Sequence, residues 1–297
     1  MHKYLLLFFS FFFLSCFNNT KYNKADEQKE TSENIVIDLP KKLQEISGIT
    51  FITDSLVAAI EDEHGIIYYY DLGKQEIIKE YTFADDGDYE DIVKVGSDLY
   101  VVKSDGTIYE IRNFANKNPA VIHYNTPLKG KNDIEGLTYN KELNSLLLSV
   151  KEKNLDKNQK DTKNIYQFSL IDKTLNEIPV YQIHFKDIES AFESDALIEA
   201  SKKFLKAAGN DNLNEVIKPS ALTYHPIDGN LYILSAINNM VIVLDKEGAF
   251  LNIIKLTGKE FTQPEGLAFN SKGEMFISNE GKNKKGNITK VYQTDAK

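Results

Sequence analysis

One cysteine, one arginine (Arg112) and no tryptophan occur in the 297 residues of this chain. A single cysteine excludes an intramolecular disulfide, whatever the redox compartment. With lysine as every other basic residue, the two-pronged clamps that arginine makes on phosphate and carboxylate are nearly absent. Positive charge is short overall: 35 Lys and Arg stand against 44 Asp and Glu, for a net charge of -9. That balance argues against a nucleic-acid partner, because binding a phosphate backbone needs a positive field. There is no G-x-S-x-G elbow, no glycine-rich phosphate loop and no cysteine pair for zinc. His64, His123, His184 and His225 lie far apart, so a histidine-built metal site has no local support.

Long apolar runs are also missing, apart from one at the start. "MHKYLLLFFSFFFLSC" carries Lys3, an apolar stretch from Tyr4 to Leu14, and then Cys16. This is too short to span a membrane as a stable helix and reads as a secretory signal over 1–16. The cysteine at its end resembles a bacterial lipobox. That resemblance implies lipidation of Cys16 and a membrane anchor in the cell envelope; the alternative is a plain secretion signal. No acidic run follows Cys16, so the periplasmic side is expected rather than the cell surface. Residues 17–34 are polar and charged, with too little apolar surface to fold, and read as a flexible tether. The folded part is expected over 35–297.

Within it, five phrases repeat: "EISGITF" from Glu45, "DYEDIVKV" from Asp88, "DIEGLTYN" from Asp133, "KPSALTYH" from Lys218 and "QPEGLAFN" from Gln263. Each is followed by a second and a third apolar run, and most by a fourth. All are rich in Val, Ile, Tyr and Phe and are punctuated by Gly, Asn, Asp and Lys. The third residues, Ser47, Glu90, Glu135, Ser220 and Glu265, are 43, 45, 85 and 45 residues apart. A four-strand unit recurring every 40–45 residues is the mark of a β-propeller blade. The step of 85 admits two readings, a helical insertion near 187–216 in a five-bladed ring or a degenerate sixth blade. "SDALIEASKKFLKAAGND" has helical spacing of its apolar residues, which favours the insertion. The last unit lacks a fourth strand, and the strand in "NIVIDLP" (Asn34–Pro40) could complete it and close the ring.

First strands of propeller blades line the central channel. The spacing of two then places Glu45, Asp88, Asp133, Lys218 and Gln263 beside the third residues at one mouth. Crowded carboxylates are costly unless protonated or bound to a cation, and oxygen-only donors select a hard ion such as calcium. Candidate metal ligands are therefore Glu90, Glu135 and Glu265, with Asp88 or Asp133. The competing reading has these carboxylates bonding backbone amides and stapling the blades. Ligand contacts are expected from Glu45, Ser47 and Ser220, and from the second-strand ends at Glu61, Lys151, Asn279 and Glu280. Glycines after the third residue (Gly48, Gly136, Gly266) fit close packing near the axis.

The phrases "ISGITF", "DIEGLTYN", "KPSALTYHPIDGNLYILSAINNMVIVLDKEG" and "QPEGLAFNSKGEMFISNEG" resemble the SdiA-regulated, YjiK-like family of bacterial envelope proteins, over about residues 35–293. The resemblance implies a membrane-associated β-propeller. Propeller hydrolases of the phytase-like esterase and calcium-dependent lactonase types hold calcium with carboxylates at the channel. Glu135 and Glu265 match such positions, Glu90 is followed by Asp91 in place of glycine, and Ser47 and Ser220 depart. The expectation is an envelope protein binding a small ligand or an envelope protein on one propeller face. The alternative is a calcium-dependent hydrolase of an ester, lactone or phosphate ester, with Glu61, Glu63, His64 or Glu280 as its base.

Overall fold

A computed structural model describes residues 33–191 and 217–292. Five four-stranded antiparallel sheets form a five-bladed propeller. Blade 1 holds β2 (Ile46–Thr53), β3 (Leu56–Glu61), β4 (Ile66–Asp71) and β5 (Glu76–Thr82). Blade 2 holds β6 (Tyr89–Val95), β7 (Asp98–Lys103), β8 (Ile108–Arg112) and β9 (Ala120–Tyr124). In blade 3 come β10 (Ile134–Asn140), β11 (Ser145–Val150), β12 (Thr162–Ser169) and β13 (Thr174–His184), and in blade 4 β14 (Pro219–Tyr224), β15 (Leu231–Ser235), β16 (Met240–Leu244) and β17 (Phe250–Lys255). Blade 5 has β18 (Pro264–Phe269), β19 (Met275–Asn279) and β20 (Asn287–Val291), and its outer strand is β1 (Ile35–Asp38) from the other end of the chain. β1 pairs antiparallel with β20, Ile35 opposite Lys290 and Asp38 opposite Asn287. The ring therefore closes by the expected exchange between the two ends.

Second and third strands read as unbroken apolar runs because both of their faces are buried. In β3, Val57 and Ala59 pack toward blade 5 with Phe276 and Ile288, while Ala58 and Ile60 pack toward blade 2 with Ile92 and Val101. Each of the five seams between blades has such an apolar cluster. The seam between blades 3 and 4 joins Leu147 and Ile165 directly to Leu222 and Ile233. That contact leaves no room for a sixth blade in the step of 85 residues. The described part of that step includes α1 (Phe185–Ala191), whose Phe185 and Ile188 enter the same cluster. The rest of the expected helical insertion, 192–216, lies outside the described residues, as do the signal stretch, Cys16 and all but the last two residues of the tether. Among the described residues no helix is long and apolar enough to cross a membrane.

The inner strands β2, β6, β10, β14 and β18 follow one another round the axis, and β18 meets β2. They approach closely enough to require glycine. A Cβ on Gly48 would lie 2.6 Å from Cα of Asp91, and one on Gly266 would lie 2.6 Å from the carbonyl oxygen of Ser47. The small residues after the repeated third position therefore do what their sequence context implied.

Candidate functional site at the channel mouth

The inner strands share a departure from regular pairing. Opposite the second strand, the register shifts between Tyr89 and Asp91, Ile134 and Gly136, Pro219 and Ala221, and Pro264 and Gly266, and between Ile46 and Ile49. Glu90, Glu135, Ser220 and Glu265 are thus the extra residues of β-bulges, and Ser47 lies in the shift of blade 1. A bulge leaves its residue unpaired and re-aims the side chain, here in every blade at the start of the strand nearest the axis.

A second ring surrounds the first. The carbonyl groups of Glu45, Asp88, Asp133, Lys218 and Gln263 accept hydrogen bonds from the backbone N–H groups of Asp62, Ser104, Lys151, Ala236 and Glu280, at 2.8–3.3 Å. Strand starts and second-strand ends therefore do meet at one mouth. Lys151 and Glu280 occupy the places anticipated for them, whereas Glu61 and Asn279 stand one step away. Buried Glu61 accepts from the backbone N–H groups of Glu63 (3.1 Å) and His64 (2.9 Å) and contacts His64 Nδ1 at 2.9 Å, capping its own turn. Fully buried Asn279 donates to Asn287 Oδ1 at 2.9 Å. The rim residue of blade 1 is Asp62, the neighbour of Glu61.

Stapling of the blades falls to other groups than the ring glutamates. Asp91, fully enclosed, accepts from the N–H of Leu137 in blade 3 at 2.7 Å and from that of Ile92 at 2.8 Å. Ser220 Oγ donates to the Pro264 carbonyl (3.1 Å) and Ser278 Oγ to the Ser47 carbonyl (2.6 Å), each crossing a seam. The acid that replaced glycine in the second phrase is thus itself a staple. Lys218 forms an ion pair with Glu152.

What remains at the mouth is acidic. One oxygen from each of Glu90, Asp133 and Glu135 lies within 4.8 Å of the others. Asp133 holds a left-handed backbone, φ 55°, which Asp adopts more readily than most non-glycine residues. Glu265 lies close enough to raise the Glu135 carboxyl, and its own Oε2 is buried with no hydrogen-bond partner. Exposed Asp88 accepts from Ser104 Oγ on the outer side of the group. A cation stands among these acids: Lys151, whose Nζ is 2.6 Å from Glu135 Oε1.

Electrostatics follow from that crowding. Burial, then Glu135 and Asp88, push the Glu90 carboxyl up to about 10. Burial takes Glu135 up to about 8 against the pull of Lys151. Burial with Glu45, Glu61 and Glu280 takes Asp62 up to about 6. Asp133, Glu265 and Glu280 are raised as well, each first by burial. Against the cost of burial, Glu135 and Glu265 hold the Lys151 ammonium above the usual lysine range. Further along the five inner strands a cavity of about 180 Å³ has a mixed lining that includes Ile49, Thr50, Asp91, Leu137, Thr223 and Leu267.

The sequence matches the SdiA-regulated family over residues 28–283. No curated protein matches it. Among solved structures, streptogramin B lyase is similar in fold at 10% identity and TM-score 0.47, over 88% of this chain and 98% of that one. A luciferin-regenerating enzyme is similar at 11% identity and TM-score 0.47, over 89% and 97%. A protein of unknown function from Bacteroides thetaiotaomicron aligns at 13% identity and TM-score 0.50, over 89% of this chain and 62% of its own. At such identities the likeness is one of fold alone.

Proposed function

The chain belongs to the SdiA-regulated family, and we propose that it is a binding protein of the bacterial envelope whose channel mouth takes up calcium. Glu90, Asp133 and Glu135 would hold the ion, with Glu265 beside them; Cys16 would carry the lipid anchor, outside the described residues. The observation that supports this reading is the convergence of three carboxylate oxygens from two adjacent blades to within 4.8 Å. Oxygen-only donors of irregular geometry fit calcium, which accepts six to eight oxygens at varied angles. The unpartnered Oε2 of Glu265 and the raised carboxyl of Glu90 are what a site short of one external cation would show. A loaded ion would neutralise the mouth and present its remaining coordination positions to a small ligand or a partner's oxygen atoms.

The test is calcium titration calorimetry on the metal-stripped protein beside a Glu90→Gln, Glu135→Gln variant. Binding on the order of micromolar that the variant loses is the expected result. Absence of heat in the wild type would overturn the reading. If the ion binds, esters, lactones and phosphate esters should be screened. Turnover that vanishes with the ion would replace binding by hydrolysis as the activity.

A further inference from the structure

The mouth already contains a cation of its own, and its position bears on the calcium ion proposed there. Lys151 follows β11 and is fixed at its backbone from both sides. Its N–H donates to the Asp133 carbonyl at 2.8 Å, and the ammonium of Lys163, itself 1% exposed, donates to the carbonyls of Lys151 (2.5 Å) and Glu152 (2.8 Å). The Lys151 side chain, by contrast, is 28% exposed and ends on Glu135 at 2.6 Å. Among the rim residues Asp62, Ser104, Lys151, Ala236 and Glu280 it is the one basic group.

We infer that Lys151 is a tethered competitor for the calcium site: its ammonium occupies the cation's place beside Glu135 and must swing to solvent when the metal enters. This rests on the calcium reading but says something that reading does not, namely what sets the affinity and selectivity of the site. A site filled part of the time by an internal group binds more weakly by the fraction of time it is free. The competitor is monovalent and flexible, so a divalent ion that gathers three carboxylates displaces it more readily than sodium or potassium does. The clamp from Lys163 holds the backbone in place, so the exchange involves the side chain alone. No bond is made or broken; one ammonium gives up a carboxylate to the ion and takes water in return.

Two measurements on the full-length chain in detergent test this. In calorimetry, Lys151→Met should bind calcium about tenfold tighter than wild type and become more sensitive to added potassium. Lys151→Arg, whose fork holds a carboxylate at two points, should bind more weakly. In amine-reactive labelling read by mass spectrometry, calcium should speed modification of Lys151 several-fold and leave Lys163 unchanged. Binding by Lys151→Met but none by wild type would overturn the calcium reading, and the inference with it. Equal or weaker binding by Lys151→Met, or calcium binding with unchanged labelling of Lys151, would overturn it and leave the calcium site standing. No binding by wild type or Lys151→Met would overturn both.

Discussion

Glu110, in β8 of blade 2, and Glu135, in β10 of blade 3, are buried alike, at 3% and 5% exposure, yet they have opposite surroundings. Four donors converge on Glu110. Tyr100 OH reaches it at 2.8 Å, Tyr124 OH at 2.5 Å, Arg112 Nη2 at 3.1 Å, and Lys173 Nζ, from the β12–β13 hairpin of blade 3, at 3.4 Å. Although burial works against ionisation, those bonds hold its carboxyl down to about 2. Glu135 has one ammonium and three acids for neighbours, and its carboxyl is pushed up instead. A buried carboxylate with its donors supplied is cement between blades. One left short of positive charge is the kind of group found where a partner from outside completes the set. The chain's one arginine serves the cement, which is why it offers no clamp for an anionic ligand.

The sharpest way to break this contrast is Glu110→Ala. It strands Arg112, Lys173 and two tyrosine hydroxyls, and should cost about 3 kcal/mol, or roughly 6–12 °C in thermal midpoint for a domain of this size. An unchanged midpoint would mean that the Glu110 group is not cement. Asp91→Ala should come next, at about 2 kcal/mol, because the Leu137 N–H loses its acceptor inside the ring. Glu90→Gln should do the reverse of both. Without metal it should be neutral or up to about 1 kcal/mol more stable, since it removes a charge from a crowd of like charges, while the stabilisation that calcium gives the wild type disappears. Differential scanning calorimetry with and without calcium reads all three.

The smallest effect is on the pH profile, where the two regions should pull in opposite directions. Glu110 has a depressed pKa, so its contribution is complete above the ordinary carboxylate range and is lost as pH falls through about 2. Asp62 and Glu90 have raised values. Their favourable contribution is complete below their unfolded pKa and is lost as pH rises through about 6 and about 10. The metal-free protein should therefore melt highest in mildly acid buffer, and calcium should restore the alkaline side. A metal-free midpoint that climbs steadily from pH 5 to 9 would contradict the assignment of the mouth.

Much of this was legible in the residues alone. The repeated phrases marked the blade unit and favoured five blades over six, and the missing fourth strand of the last unit pointed to closure by the strand after Asn34. The third residues of the phrases do gather at one mouth. These are consequences of local pattern: alternation, strand length and a constant spacing follow from backbone geometry that each segment carries with it. The staples were not legible. Asp91 read as a departure from the glycine pattern, yet its meaning depends on which N–H of blade 3 lies opposite. Nor could the sequence separate Glu61 from Asp62, adjacent acids of which the strand pairing sets Asp62 at the rim and turns Glu61 onto its own turn.

The sequence by itself, then, determined the propeller unit and the acidic character of one face, because those depend on periodicity and on charge counted along the chain, while the seam between blades 3 and 4 and the pairing of β1 with β20 decided the blade number and the closure. The tertiary structure alone decided which acids are satisfied. Glu110 and Glu135 differ in no property that either carries in sequence; they differ in whether Arg112 with two tyrosines, or Glu90 with Asp133, stands opposite when five blades close. Burial then amplifies that difference, since charges interact most strongly where water is excluded.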